Sequence, residues 1–177
     1  LRERLACSAG YQPPLAALSG LVSLREYYLL STCNRVEIAF VCADVEHARK
    51  DILNTLFAPG VTAAELEPHI YQYEQDAAVE HLFQVAASLD SMVVGEAQIL
   101  GQLKEAYRAA AKAGATGLIL NKLLHKSFSV AKRVRTETRI GASAVSISYA
   151  AVELGRKIFG DLTSKKALLI GAGEMAE

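Results

Sequence analysis

The chain has 177 residues, of which 51% are hydrophobic and 21% are charged, and 19 Lys and Arg residues balance 19 Asp and Glu residues. This length suffices for one or two domains with a buried core, and the zero net charge leaves any nucleic-acid ligand to a local basic patch. No apolar stretch is long enough to span a bilayer, and three cysteines without zinc-ligand spacing indicate free thiols, so we expect a cytoplasmic protein with no metal site.

The first predicted elements are two strands with a polar corner between them. Residues 26–30 and 36–42 are rich in β-prone side chains, and the Ser-Thr-Cys-Asn-Arg sequence between them cannot continue either strand. Cys33 lies at the tip of this turn. Hydroxyl and amide groups on both sides of it, and Arg35 two residues away, are surroundings that favour a nucleophilic thiolate. From this stretch alone, a small apolar cysteine in a hairpin is an equally good interpretation.

Helices and one further strand follow the corner. We predict a helix over 45–56 with Asp44 as its N-cap. A strand over 70–73 then leads to a helix over 77–87, which Asp76 caps. This alternation of strands and helices favours a small α+β sandwich in which helices cover one face of the sheet.

The rest of the sequence is helical almost to its end. Apolar spacing predicts helices over 96–113 and 118–138, and a third helix that ends near Phe159. The run Lys166–Ile170 predicts a short, buried, parallel-type strand. The glycine-rich sequence that follows has the spacing of a dinucleotide-binding fingerprint, which is a weak signal on its own.

Two groups of polar residues on the helices are open to two interpretations. A lone histidine among apolar residues, such as His81, is more often a partly buried structural residue than a catalyst. Gln98 and Gln102 share a helix face, with Glu96 in the first turn and Ser91 just before it. From the residues alone, a solvated helix face is a better explanation of this pattern than a binding site.

Three stretches, residues 31–37, 86–102 and 125–149, resemble glutamyl-tRNA reductase, the first committed enzyme of the five-carbon route to tetrapyrroles, and the resemblance runs nearly end to end. It implies an α+β catalytic domain, built of a small antiparallel sheet with helices plus a helical subdomain. The implied division is a catalytic domain over 1–140, a long connecting helix over 141–162, and the first strand of a Rossmann-type α/β domain over 163–177. The family's opening strand and its C-terminal dimerisation domain are expected to be missing from this chain.

The resemblance also implies the roles of individual residues. Cys33 and His81 are the implied catalytic residues. The implied binding residues for the glutamyl group are Thr32, Asn34, Arg35, Ser91, Glu96, Ala97, Gln98 and Gln102, with Arg35 pairing with the γ-carboxylate. The implied NADPH-binding residues are Gly171, Ala172, Gly173, Glu174, Met175 and Ala176. The basic cluster over 125–139 is either a solvated helix end or a site for tRNA phosphates, and charge reversal at Arg133 and Arg135 tests the second reading.

In the implied mechanism, the Cys33 thiolate attacks the ester that joins glutamate to tRNA, and NADPH reduces the resulting thioester to glutamate-1-semialdehyde. With an incomplete cofactor domain, we expect this chain to hydrolyse the thioester and to lack reductase activity. The full-length protein is expected to be a homodimer, with a downstream aminomutase as a further partner. Two alternatives stay open: a non-catalytic tRNA-binding or regulatory module, and a different NADP-dependent reductase that acts on a small carbonyl compound without tRNA.

Overall fold

A computed structural model of the chain describes residues 7, 10–57, 63–96, 98–140, 147–166 and 168. Its elements, in chain order, are α1 (Gln12–Ser19), β1 (Leu24–Ser31), β2 (Val36–Cys42), α2 (Val45–Phe57), α3 (Ala63–Leu66), a 3₁₀ helix (Glu67–His69), α4 (Gln75–Ala86), α5 (Gln98–Lys112), α6 (Leu118–Glu137) and α7 (Ile147–Phe159). The expected α+β class is confirmed, with a small antiparallel sheet and helices. None of the described helices has the length and apolarity that crossing a membrane requires.

The predicted hairpin is confirmed, and it forms the middle of the core. β1 and β2 pair antiparallel from Leu24 opposite Cys42 to Ser31 opposite Val36. Four consecutive residues of β1, Tyr27 to Leu30, are buried, which means that both faces of this strand are covered. The buried core that includes them also takes side chains from five helices, α1, α2, α4, α5 and α6, among them Leu15, Leu18, Ile52, Leu82, Val85, Ile99, Leu103, Leu120 and Leu124. Burying each large side chain contributes about 1.5–3 kcal/mol.

Helix α6 begins against β1. The carboxylate of Glu26 accepts hydrogen bonds from the backbone N–H groups of Ile119 (3.1 Å) and Leu120 (2.7 Å). It thereby satisfies two of the donors that the first turn of a helix leaves unpaired, and its charge matches the positive end of the helix. A Cβ on Gly117 would lie 2.6 Å from the Glu26 carboxylate, so a larger residue at this position would displace the carboxylate from these hydrogen bonds.

The helices after the hairpin follow the predictions with small shifts. The Asp44 carboxylate accepts a hydrogen bond from the His47 N–H at 3.0 Å, which confirms it as the cap of α2. Helix α4 begins at Gln75 with Glu74 as its N-cap, so the prediction that Asp76 caps it was wrong, and Asp76 lies in its first turn. Helix α5 begins at Gln98, so Glu96 precedes the helix and does not belong to its first turn.

The predicted strand over 70–73 is absent. This segment has no strand partner among the described residues, and its aromatic side chains pack against His81 of α4. Alternating apolar and polar residues suit a strand, but a strand exists only where a neighbour supplies the hydrogen bonds.

The C-terminal predictions are confirmed only in part. Helix α6 ends within one residue of its predicted end, and α7 ends at Phe159 as expected. The buried strand over 166–170 is not shown: Lys166 and Leu168 are not in a strand, and Leu168 is 84% exposed. The rest of that run, the fingerprint Gly171–Ala176 and the helix boundary near residue 141 lie outside the described residues.

Candidate active site

The corner between β1 and β2 presents a cysteine to solvent. Cys33 is a free, exposed thiol at the tip. The hydroxyl of Thr32 accepts hydrogen bonds from the backbone N–H groups of Asn34 (3.1 Å) and Arg35 (3.0 Å), and the Thr32 N–H donates to the Arg35 carbonyl at 2.8 Å. A threonine that bonds to the backbone of the next residues is a common way to close a tight turn. The sequence therefore fixes the thiol at the tip through the residue directly before it.

The side chain of Arg35 extends away from the turn, and its guanidinium is held by two carboxylates. Its Nη1 donates to Glu37 Oε1 and to Asp90 Oδ2, both at 3.1 Å, and its Nη2 donates to the Asp90 carbonyl at 2.7 Å. Burial lowers the pKa of Arg35, but the hydrogen bond to Asp90 and the charge of Glu37 outweigh burial and raise it. The guanidinium is therefore a permanent positive charge two residues from the thiol.

Glu37 connects three side chains on one oxygen. Its Oε1 accepts hydrogen bonds from Arg35, from the Tyr71 hydroxyl and from His81 Nε2, the last at 3.0 Å. Its side chain is 13% exposed, and a carboxylate withdrawn from water in this way needs such partners. Burial, followed by the hydrogen bond to Glu37 and the negative charge of that carboxylate, raises the pKa of the Tyr71 hydroxyl, which therefore remains a hydrogen-bond donor to Glu37.

His81 reaches the same network from helix α4. Its Nδ1 lies 3.7 Å from Asp90 Oδ2, while Nε2 faces Glu37. The ring stacks on Tyr73 with 4.7 Å between centroids and meets the edge of Tyr71 at 5.4 Å. Carboxylates on both ring nitrogens and aromatic rings on its faces fix the orientation of the imidazole. The structure thus brings His81 and Arg35 together, although they are far apart in sequence.

The other predicted site residues lie in the segment that leads to α5. Ser91 follows Asp90, and its hydroxyl accepts a hydrogen bond from Ser88 at 3.3 Å. The carbonyl of Glu96 accepts a hydrogen bond from Arg135 of α6 at 3.0 Å. Gln98 and Gln102 are half-buried in the first turns of α5. In the part of the chain that is described, no hydrogen bond joins either of them to Arg35 or to its partners Glu37 and Asp90. Ala97 lies outside the described residues.

Sequence reasoning missed Glu37, Asp90, Tyr71 and Tyr73. One signal was available for Glu37: it lies two residues after Arg35, at the start of β2, and in extended backbone residues two apart share a face. Tyr71 and Tyr73 alternate in the same way, but they were assigned to a strand and not to a site. Nothing in the sequence places Asp90 beside Arg35, because the contact spans 55 residues.

Fold and site together define an α+β domain that exposes a thiol beside a paired guanidinium, two carboxylates and an imidazole. Residues 1–138 match the family described as the N-terminal domain of glutamyl-tRNAGlu reductase. Since this match covers most of the chain, the chain belongs to the glutamyl-tRNA reductase N-terminal domain family.

Individual relatives agree with this assignment. The chain is 59% identical over its whole length to glutamyl-tRNA reductase of Desulfotalea psychrophila and 53% identical to that of Geobacter sulfurreducens. Among solved structures, glutamyl-tRNA reductase from Methanopyrus kandleri matches 99% of the chain and 41% of its own length, with a TM-score of 0.59 and 37% identity. The chain spans 42% of the length of the first of these relatives and 41% of the second, or about two fifths.

Proposed function

We propose that the chain is the substrate-binding and catalytic part of a glutamyl-tRNA reductase, an NADPH-dependent oxidoreductase that converts glutamyl-tRNA to glutamate-1-semialdehyde in the first step of tetrapyrrole biosynthesis. The observation that carries the proposal is an exposed Cys33 two residues from Arg35, which belongs to a hydrogen-bond network with Glu37 and His81, in a chain of this family. The proposed division keeps residues 1–140 as the catalytic domain, 141–162 as a connecting helix and 163–177 as the start of a cofactor domain.

The proposed reaction starts at the thiol. The Cys33 sulfur attacks the ester carbonyl, an S–C bond forms, and the C–O bond to the terminal ribose breaks as that oxygen takes a proton. His81, held between Glu37 and Asp90, is the nearby group suited to move this proton. Thr32, Asn34 and Ser91 supply hydroxyl and amide groups that fix the glutamyl group, which brings the carbonyl and the sulfur into reacting geometry.

The resulting glutamyl thioester is the species to be reduced. NADPH, when bound, supplies the hydride for that step. Gly171, Gly173 and Ala176 have the spacing that lets backbone approach a pyrophosphate, and they are the residues proposed to hold the cofactor. The full-length protein is proposed to be a homodimer that passes its aldehyde product to an aminomutase.

Intact-mass spectrometry of the full-length protein after incubation with glutamyl-tRNA, without NADPH and at mildly acidic pH, tests this proposal. We expect a mass gain of one glutamyl group that hydroxylamine removes, because a thioester is cleaved by that nucleophile. The adduct should be absent in Cys33→Ser and present in Cys42→Ser, since Cys42 is half-buried in β2. An adduct that survives Cys33→Ser, or none on the unaltered protein, would contradict the proposal.

A further inference from the structure

The groups around Arg35 include more carboxylates than permanent cations. Glu37 and Asp90 face one guanidinium, with the His81 imidazole between them. One negative charge is in excess when both carboxylates are ionised and the imidazole is neutral. A site with this excess favours a ligand group that carries a positive charge.

The two carboxylates differ in their access to solvent. The side chain of Glu37 is 13% exposed, and its Oε1 already accepts three hydrogen bonds. The side chain of Asp90 is 50% exposed, and among the described residues its carboxylate accepts one hydrogen bond, from Arg35. Since a carboxylate offers about four lone-pair sites, Asp90 keeps acceptor capacity for a further donor.

Arg35 likewise keeps N–H donors with which it can bind an anion. A guanidinium has five N–H donors, and the described contacts use two hydrogens on Nη1 and one on Nη2. Nε and Nη2 form one edge of the guanidinium, and such an edge suits a carboxylate bound through two parallel hydrogen bonds. No described residue accepts a hydrogen bond from Nε.

We propose that Asp90 accepts the α-ammonium of the glutamyl group while Arg35 binds its γ-carboxylate, so that the Arg35–Asp90 pair recognises the two opposite charges of an α-amino acyl substrate. This inference rests on the proposed function. It makes Asp90 a specificity residue that selects esters with a free α-amino group and rejects N-acylated ones, such as peptidyl esters.

The segment that carries Asp90 is held in place before any ligand binds. Leu89 N–H donates to the Gln84 carbonyl and Gly95 N–H donates to the Ser88 carbonyl, both at 2.9 Å. Gly95 has a φ of +88°, and a Cβ on it would lie 2.8 Å from the Ile140 carbonyl. These bonds fix the backbone on both sides of Asp90, and Arg35 holds its carboxylate, so little conformational entropy is lost when that carboxylate binds an ammonium.

The test compares two substrates on two proteins. The rate of Cys33 acylation is measured by intact mass on the full-length protein without NADPH, with glutamyl-tRNA and with N-acetylglutamyl-tRNA. We expect the unaltered protein to prefer the free amine by about 10- to 100-fold, the effect of one charge-assisted hydrogen bond. Asp90→Asn should lose most of this preference by slowing the reaction of glutamyl-tRNA alone.

Controls separate the possible outcomes. Asp76→Asn, an exposed matched change in the first turn of α4, should keep the full preference. Asp90→Glu should keep part of it, because a carboxylate remains. If Asp90→Asn slows both substrates equally, or speeds both, Asp90 only holds or masks Arg35 and the inference is wrong. If neither substrate acylates the unaltered protein, the proposed function fails first.

Discussion

At the scale of single residues, the reactive corner depends on one hydroxyl. Thr32 bonds to the backbone of both residues that follow Cys33, and its own N–H closes the turn onto Arg35. The thiol itself has few neighbours because it is exposed. Its position is therefore set by the backbone around it, and a change that leaves Cys33 untouched can still move the sulfur.

We expect Thr32→Val to slow acylation of Cys33 by glutamyl-tRNA and to lower the free energy of unfolding by about 1 kcal/mol, because valine keeps the shape of threonine but leaves two backbone N–H groups without their acceptor. Acylation is followed by intact mass and stability by urea unfolding. Thr32→Ser keeps the oxygen and is the matched control. Equal rates for the valine and serine variants would show that the hydroxyl does not position the thiol.

The same scale shows what the sequence could and could not predict of the site. The roles of Cys33, Arg35 and His81 were predicted from the resemblance to a known family, because the residues alone left a structural interpretation equally good for Cys33 and better for His81. Glu37 and Asp90 are carboxylates like many on the surface, and only their approach to one guanidinium gives them a role. The Tyr71–Glu37 contact spans 34 residues, a separation that no local pattern encodes.

At the scale of elements, helix α6 is capped by another element. Its own N-cap residue is Gly117, which has no side chain that could accept a hydrogen bond. The carboxylate of Glu26 on β1 accepts the hydrogen bonds of the first turn instead. Glu26 is only 9% exposed. Strand and helix therefore stabilise each other through a buried charge that is paired with helix N–H groups.

Replacing this charge should destabilise the fold. We expect Glu26→Ala to lower the free energy of unfolding by about 3 kcal/mol, since two charge-assisted hydrogen bonds are lost and two buried N–H groups remain unpaired. Glu26→Gln should cost less, because its amide oxygen can still accept. Urea unfolding measures both, with Glu105→Ala on the exposed face of α5 as control. A loss no greater than that of the control would exclude this role for Glu26.

Helices were predicted well, because the spacing of their apolar residues is visible in the local sequence. The apolar spacing of α5 and α6 placed each helix to within two residues, because a helix makes its hydrogen bonds internally. The strand over 70–73 failed because a strand depends on a partner elsewhere in the chain. The Glu26 cap was also unpredictable from sequence, since the bonds span 93 and 94 residues.

At the scale of the whole molecule, zero net charge conceals an uneven distribution. Exposed cations that lack an ion pair within the described ranges follow one another along α6: Lys122, Lys126 and Lys132. Arg133 pairs with Glu137, and Arg135 is half-buried with a hydrogen bond to the Glu96 carbonyl. Arg135 thus holds the protein together, and the lysines are the better candidates for tRNA phosphates.

We expect Lys126→Glu with Lys132→Glu to weaken tRNA binding by about tenfold or more at low salt and to reduce the slope of log affinity against log salt by about 2. Lys50→Glu with Lys157→Glu changes the net charge equally on exposed positions of α2 and α7. Filter binding over a series of salt concentrations measures both pairs. If the two double variants weaken binding alike, the effect comes from overall charge and not from α6.

The contacts at the C-terminal end of α6 have a consequence for how recognition is shared. Arg135 donates a hydrogen bond to the carbonyl of Glu96, and Gly95 lies against Ile140, so the end of α6 is packed against the segment that carries Asp90. If α6 binds a nucleic acid and Asp90 binds an amino acid, as proposed, the two sites are held at a fixed distance from each other. A molecule that joins an amino acid to a nucleic acid would then bind both sites at once, and the first contact would raise the effective concentration of the second. Such a surface would favour the joined molecule over either part alone.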